Sequence, residues 1–318
     1  MSDFDHAAKV LEDITANIEK SILGKRNTIE LVVQAMACSG HVLIEDIPGV
    51  GKTSLVSALA RSVDCSFKRI QFTPDILPSD VTGFSLFNPK TGDFEYRPGA
   101  VMSNFVLADE INRTSPKTQS SLLEVMEENQ VTVDLNTYIP PQPFMVLATQ
   151  NPAEYLGTYP LPESQIDRFI VKLSLGYPSP EEEAQILGNS HTDVMQLSPV
   201  TDADGVIEAK TAAQNIYVEN CIRKYIVDIV NATRRSSQTA LGASPRGSIA
   251  LFKMSQARAM YNGREYVLPD DVKFLAPYVL GHRLVLARDA KLSGKKTEDI
   301  IAEILDTVKA PSFRVRKA

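Results

Sequence analysis

His41-Val-Leu-Ile-Glu-Asp-Ile-Pro-Gly-Val-Gly-Lys-Thr53 is the stretch that most narrows what this chain can fold into. A short apolar run ends in two acids, passes a glycine-bearing turn and reaches Lys52 and Thr53 at the start of an amphipathic segment. Strand, loop and helix start, in that order, form the setting a phosphate-binding loop requires. Backbone N–H groups from Gly49 to Thr53 would point into one concavity, and the helix N-terminus would add its positive dipole. Lys52 would neutralise the outer phosphates, and the Thr53 hydroxyl would hold Mg²⁺. Pro48, Val50 and Ser54 complete the set of residues placed against the nucleotide. The strict pattern has glycine where this chain has Asp46. The two positions where the backbone must come close to an anion, Gly49 and Gly51, are both glycine. The alternative is a tight strand-to-helix turn whose lysine is merely solvated.

A chain of 318 residues has room for two domains and a real core. No apolar run approaches the roughly 20 residues of a membrane helix. The acidic N-terminus, with Asp3, Asp5, Glu12 and Asp13, lacks the pattern of a signal peptide. Cys38, Cys65 and Cys221 are scattered and outside any metal spacing, which favours reduced thiols and a cytoplasmic setting. Cys38 and Cys65 sit in apolar contexts and read as core. A net charge of −6 and a pI of 5.4 argue against a dedicated nucleic-acid binder, which needs clustered Lys and Arg. Arg234-Arg235, Lys295-Lys296 and the tail from Arg314 to Lys317 read as solvated helix ends and a terminal tail. His6, His41, His191 and His282 show no zinc spacing.

Ala7, Leu11, Ile14 and Ile18 recur at helical spacing. Ile22-Leu23-Gly24 breaks that pattern before a second helix carrying Ile29, Val32, Val33, Met36 and Ala37. Val42 to Glu45 is the first strand, and Leu55, Val56, Leu59, Ala60 and Val63 give the helix after the loop its apolar stripe. Phe67 to Phe72 alternates as a strand. Phe84 to Leu86 and Phe94 to Tyr96 flank a turn at Asn88-Pro-Lys-Thr-Gly92 and read as an inserted hairpin. Phe105-Val-Leu-Ala-Asp-Glu110-Ile-Asn-Arg113 is a buried strand ending in paired acids. Asp109 would hold Mg²⁺ through water, and Glu110 would polarise the attacking water as general base. A solvated acidic turn is the competing reading of the pair alone.

The chain resembles the AAA+ ATPases, and within them the MoxR family, over nearly its full length. The matching residues are Glu45-Asp-Ile-Pro-Gly-Val-Gly-Lys-Thr53, Leu107-Ala-Asp-Glu-Ile-Asn-Arg113, Ala148-Thr-Gln-Asn-Pro152 and Leu161-Pro-Glu-Ser-Gln-Ile-Asp-Arg-Phe169. Gly242-Ala-Ser-Pro-Arg246 and Gly281-His-Arg283 match near the end. The family tolerates an acid at position 46. The resemblance implies a P-loop NTPase fold, a parallel α/β sheet over residues 1–187 with hairpin insertions. Pro, Asp, Ser and Thr without apolar period mark 188–205 as a linker, and the end of strand signals marks 206–318 as a small all-helical lid. The resemblance places Gly24 among the nucleotide-binding residues.

Ser115-Pro116 reads as a helix start, followed by a second hairpin from Gln130 to Ile139 and an apolar strand, Phe144 to Ala148. That strand delivers Asn151, to which the resemblance assigns the sensing of the γ-phosphate; the alternative is an amide capping the next turn. Arg168 resembles the finger that reaches a neighbour's γ-phosphate, with Arg113 a weaker candidate for the same interface. A salt bridge from Arg168 to Asp167 or Glu163 is the competing reading. Arg246 resembles a second sensor that contacts the nucleotide when the lid closes, or else pairs with a surface acid. Gly281-His282-Arg283 reads as packing or capping. Phe84, Phe87, Phe94 and Tyr96 either grip a substrate or form the hairpin's own small core.

The function implied is binding and hydrolysis of Mg-ATP in a homo-oligomeric ring, a hexamer, that remodels protein clients as a chaperone. Von Willebrand factor A-domain proteins are among the partners the resemblance suggests. Rival functions are the motor subunit of a metal chelatase, a nucleic-acid remodelling motor, and a scaffold that binds ATP and hardly turns it over.

Overall fold

The computed structural model describes residues 3–151, 158–188 and 193–311. Pro152, His191 and the basic tail from Arg314 to Lys317 lie outside them. Two amphipathic helices come first, α1 (Asp3–Glu19) and α2 (Arg26–Ala37). The core opens with β1 (Val42–Glu45), α3 (Lys52–Ser62), β2 (Phe67–Gln71), α4 (Pro78–Thr82) and a hairpin of β3 (Gly83–Asn88) and β4 (Asp93–Pro98). It continues with β5 (Phe105–Asp109), α5 (Pro116–Glu128), a hairpin of β6 (Val131–Val133) and β7 (Asn136–Tyr138), β8 (Met145–Gln150), α6 (Glu163–Ile166), β9 (Val171–Leu173) and α7 (Pro180–Leu187). The C-terminal part holds α8 (Ala203–Gln214), α9 (Asn220–Arg235), β10 (Thr239–Leu241), α10 (Pro245–Tyr261), α11 (Pro269–Leu280), β11 (Val285–Leu286), α12 (Arg288–Leu292) and α13 (Thr297–Thr307).

Among the described residues, β2, β5, β8, β1 and β9 pair in that order as a parallel sheet. Parallel sheets are covered on both faces, which is why the inner strands are unbroken apolar runs. Successive side chains of a strand point to opposite faces. Phe105 and Leu107 of β5 therefore join the cluster containing α1, α2 and α3, while Val106 and Ala108 join Leu122, Leu123 and Val125 of α5. The edge strand β2 instead exposes Lys68, Arg69 and Gln71, polar side chains of the kind that keep an edge from pairing with another chain. The Ser115 hydroxyl accepts from the Thr118 N–H and caps α5, with Pro116 in its first turn.

The expected α/β sheet with hairpin insertions and a helical lid is the fold observed. Several details differ. In the stretch read as a linker, Asp202 caps α8, which begins at Ala203. Asn17 donates to the Ser198 carbonyl, and the Val200 N–H donates to the Ser62 carbonyl, so the segment lies pinned on α1 and α3. These are polar ties to backbone, which leave no apolar period to read. The helices α4, α7 and α8 were not expected, and the lid carries a short antiparallel pair, β10 with β11, beside its helices. One apolar cluster also runs from α1 and α2 into α8, α10 and α11, so the lid and the N-terminal helices share a core.

His41 shows how tightly that core is specified. Its Nδ1 accepts from the Val146 backbone N–H at 3.0 Å, so its Nε2 carries the proton, 3.0 Å from the Met126 carbonyl. Burial lowers its pKa to about 4 from 6.5. Because the folded pKa is depressed, the unfolded chain binds the proton first. Stability is full above pH 6.5 and falls as pH drops from there to about 4, by about 3 kcal/mol from this residue. His282, held well below its usual value by burial and by Arg283, adds to the same trend. Unfolding measured by urea at pH 7.5, 6 and 5 will show a steeper loss in the wild type than in His41→Gln. Equal slopes in the two proteins would contradict this account.

Candidate functional site

The C-terminal ends of β1, β8 and β5 lie side by side, with Glu45 in register with Gln150 and Gln71 in register with Asp109. Neighbouring strands are about 4.8 Å apart. Asn151, the residue after β8, thus falls between the loop that follows β1 and the acids that end β5. Each group sits there because a buried apolar strand delivers it.

The loop itself is shaped by its glycines. Gly49 and Gly51 have φ of +85° and +90°, a backbone region that L side chains rarely adopt, and open space lies where a Cβ would be. Gly51 is the N-cap of α3, so Lys52, Thr53 and Ser54 form its first turn, with Pro48 and Val50 in the loop before it. The Lys52 ammonium folds back onto the Asp46 carbonyl at 3.2 Å. Asp46, the residue in place of the expected glycine, turns out to be a fastener. Its buried carboxylate accepts from the backbone N–H groups of Ile47, Leu175 and Gly176 and from the Ser174 hydroxyl, tying the loop to the segment after β9. Gly24 packs against the Glu182 carboxylate of α7, at the far side of that same segment.

The acids are held by residues the motif reading passed over. Thr149, fully buried, donates its hydroxyl to Asp109 Oδ1 at 2.6 Å and accepts from the Glu110 N–H at 2.8 Å. A lone hydroxyl in an apolar strand was the available signal. Arg69 pairs with Asp109 Oδ2 at 2.6 Å and donates to Gln71, which donates in turn to Glu110 Oε2 at 2.8 Å. Arg69 and Gln71 are two apart on β2 and so share a face. Arg113, weighed as an interface residue, pairs with Glu110 Oε2 at 3.2 Å. Glu110 itself has φ of +56°, an uncommon backbone state for a residue with a side chain that fits a functional turn.

Arg168 and Arg246 are brought together, but not beside the loop. They line one cavity with His41, Gly40 and Glu127, at the N-terminal edge of the sheet. The four residues of β1 separate that edge from the loop, about 13 Å at some 3.3 Å per residue. Glu127, in the last turn of α5, receives both guanidiniums: Oε2 lies 3.0 Å from Arg168 Nη2, and Oε1 accepts from Arg246. Arg168 Nη1 also donates to the Leu123 carbonyl at 2.6 Å. One carboxylate thereby offsets the repulsion of two cations. The alternative partner Asp167 is engaged instead by Arg283.

Burial pushes the Cys38 thiol up to about 12 and the Cys65 thiol up to about 11, so neither supplies a thiolate. On the hairpins, Tyr96 stacks on Tyr138 at 3.9 Å and belongs to a small core. Phe84, Phe87 and Phe94 remain exposed, Phe94 by 72%, and Leu135 at the tip of the second hairpin by 99%.

A glycine turn at a helix N-terminus with Lys52 beside it, the acids Asp109 and Glu110, and the amide of Asn151 between loop and acids are groups that can bind a polyphosphate and direct water at it. Comparison with known proteins shows the family. Residues 41–171 match the profile of the ATPase family associated with various cellular activities (AAA), and residues 231–304 match the AAA lid domain. Chaperone MoxR1 of Mycobacterium tuberculosis is 40% identical over 95% of this chain and 82% of its own length. The chain belongs to the MoxR family of AAA+ ATPases. The Bacillus subtilis protein YeaC is 54% identical over 94% of both chains. A crystal structure from Cytophaga hutchinsonii, 38% identical, superposes with a TM-score of 0.91 over 98% of this chain and 97% of that one. As a MoxR-family AAA+ protein, the chain is an ATPase, and among its described residues no helix is long and apolar enough to cross a membrane.

Proposed function

We infer that this ATPase hydrolyses Mg-ATP at sites completed between subunits of a ring and uses the energy to remodel protein clients. One observation carries the reading. The phosphate loop with the acids and the paired arginines stand at opposite edges of one sheet, so a full catalytic set needs two copies.

The open space at Gly49 and Gly51 fits an anion against the backbone, and the carboxylate of Asp109 and hydroxyl of Thr53 are suitable oxygen donors for Mg²⁺. Held there, the ion would supply positive charge against the phosphates. The chain's own residues do the rest. Lys52 exchanges the Asp46 carbonyl for phosphate oxygen, a stronger, charge-assisted partner. Asn151 orients the attacking water, and Glu110 accepts its proton. Gln71 and Arg113 hold Glu110 aside until that exchange, so the strand β2 sets when the base is free. Arg168 and Arg246 of the neighbouring copy meet the developing charge on the transferred group, where a planar, permanently charged fork is worth most. Phe87 and Phe94 of one hairpin and Leu135 of the other present apolar surface to a client. The chaperone named among the relatives supports that use.

Specific ATPase activity will rise steeply with protein concentration and level off where the sedimenting species becomes a ring, here read as a hexamer. A rate per subunit that stays constant down to concentrations where only monomer sediments would overturn the composite site.

A further inference from the structure

We propose that Asp167 is the positioning residue that sets both arginines at once, through Arg283 on one side and Ser244 on the other. The proposal rests on the reading of Arg168 and Arg246 as groups offered to a neighbour.

Arg283, read as packing or capping, is buried, and its guanidinium is saturated with acceptors. Nε meets Asp167 Oδ1 at 2.7 Å, Nη2 donates to the carbonyls of Asp167 and Phe169, and Nη1 donates to those of Ile170 and Val279. A lid residue thus fixes the backbone on both sides of Arg168 just before β9 begins. The other carboxylate oxygen of Asp167 accepts from the Ser244 hydroxyl at 2.7 Å. Ser244 is the N-cap of α10 and accepts from the backbone N–H of Arg246 at 3.0 Å. One carboxylate is therefore next to Arg168 in the chain and one hydroxyl away from Arg246. Glu127 joins the two side chains at their tips; Asp167 joins them at their roots.

A buried charge with its partner removed is costly, so Asp167→Asn, which strips Arg283 of its counter-charge, puts folding itself at stake. Ser244→Gly is the second variant, because glycine is tolerated at a helix N-cap while the hydroxyl link to Asp167 is lost. Misplacing a catalytic group by about 1 Å costs on the order of a hundred-fold in rate. Ser244→Gly should lower kcat by about ten-fold or more with KM for ATP unchanged, the signature of an interaction made in the transition state.

Mixing experiments with the full-length protein separate this from a general weakening. Ser244→Gly or folded Asp167→Asn subunits, mixed with Glu110→Gln subunits, should recover turnover, because the Glu110→Gln copies still offer intact arginines. Mixed with Arg168→Ala subunits they should recover none, since both would be defective on the same face. An unchanged kcat in Ser244→Gly, or a defect that neither mixture relieves, would overturn the proposal. The Arg168→Ala with Glu110→Gln mixture serves as the control. If it fails to recover turnover, the composite site itself is wrong and this proposal falls with it; if it recovers, a failure of the Ser244→Gly mixture counts against Asp167 alone.

Discussion

Glu110→Gln will bind ATP as the wild type does and lose about a hundred- to ten-thousand-fold in turnover, the span expected for removing a general base. The substitution keeps the size and hydrogen-bonding reach of the side chain but removes its ability to take a proton. Gln71 and Arg113, which hold the carboxylate, are left with an amide that still offers an oxygen. Binding should therefore be spared, since the loop, Lys52 and Thr53 are untouched. Single-turnover hydrolysis alongside equilibrium nucleotide binding checks both halves. Turnover within a few-fold of the wild type, with binding intact, would remove Glu110 from the mechanism. The variant with ATP is also the natural bait for clients, because it holds the ATP-bound state.

Arg168→Ala should cost about a thousand-fold or more in kcat, the scale of an arginine supplied to a phosphoryl-transfer transition state. The side chain is only partly exposed, and its partners are Glu127 and the Leu123 carbonyl of α5. Its removal leaves Glu127 still paired with Arg246, so no buried charge is stranded and the fold should persist. KM for ATP should stay near the wild-type value, because the ground-state contacts to nucleotide are made by the other subunit. A rise in KM with kcat unchanged would instead show that Arg168 contributes to ground-state binding.

Much of this was legible in the sequence, for identifiable reasons. The strands ending at Glu45, Asp109 and Gln150 are inner strands of a parallel sheet, and their apolar runs and terminal polar residues stand out. The glycines of the loop declare themselves because φ of +85° and +90° is a backbone state that residues other than glycine rarely adopt. What stayed hidden depends on distance across the fold. Asp46 looked like a departure from the loop pattern, and its partners Leu175 and Gly176 lie more than a hundred residues on. Thr149, Arg69 and Gln71 act on the acids only through the sheet register, which no local pattern encodes. Arg246 resembles a second sensor that contacts the nucleotide on lid closure, with pairing to a surface acid as the alternative, and neither reading locates it in the fold. The structure places it with Arg168 at the opposite sheet edge, because the Arg283–Asp167 pair and the shared core lock the lid there. The lid stretch Gly281 to Arg283 reads as packing or capping, but what Arg283 caps is not legible locally, because its carbonyl partners Asp167 and Phe169 belong to the turn before β9.

The composite site is tested most directly by titrating Arg168→Ala subunits against Glu110→Gln subunits in assemblies shown to be mixed. Each parent is inactive for a different reason, one lacking the donated arginine and the other the base. Sites that pair a Glu110→Gln arginine face with an Arg168→Ala nucleotide face hold every required group. Turnover should therefore rise above both parents and peak at intermediate composition. Activity that never exceeds the weighted sum of the parents would contradict a site shared between neighbours.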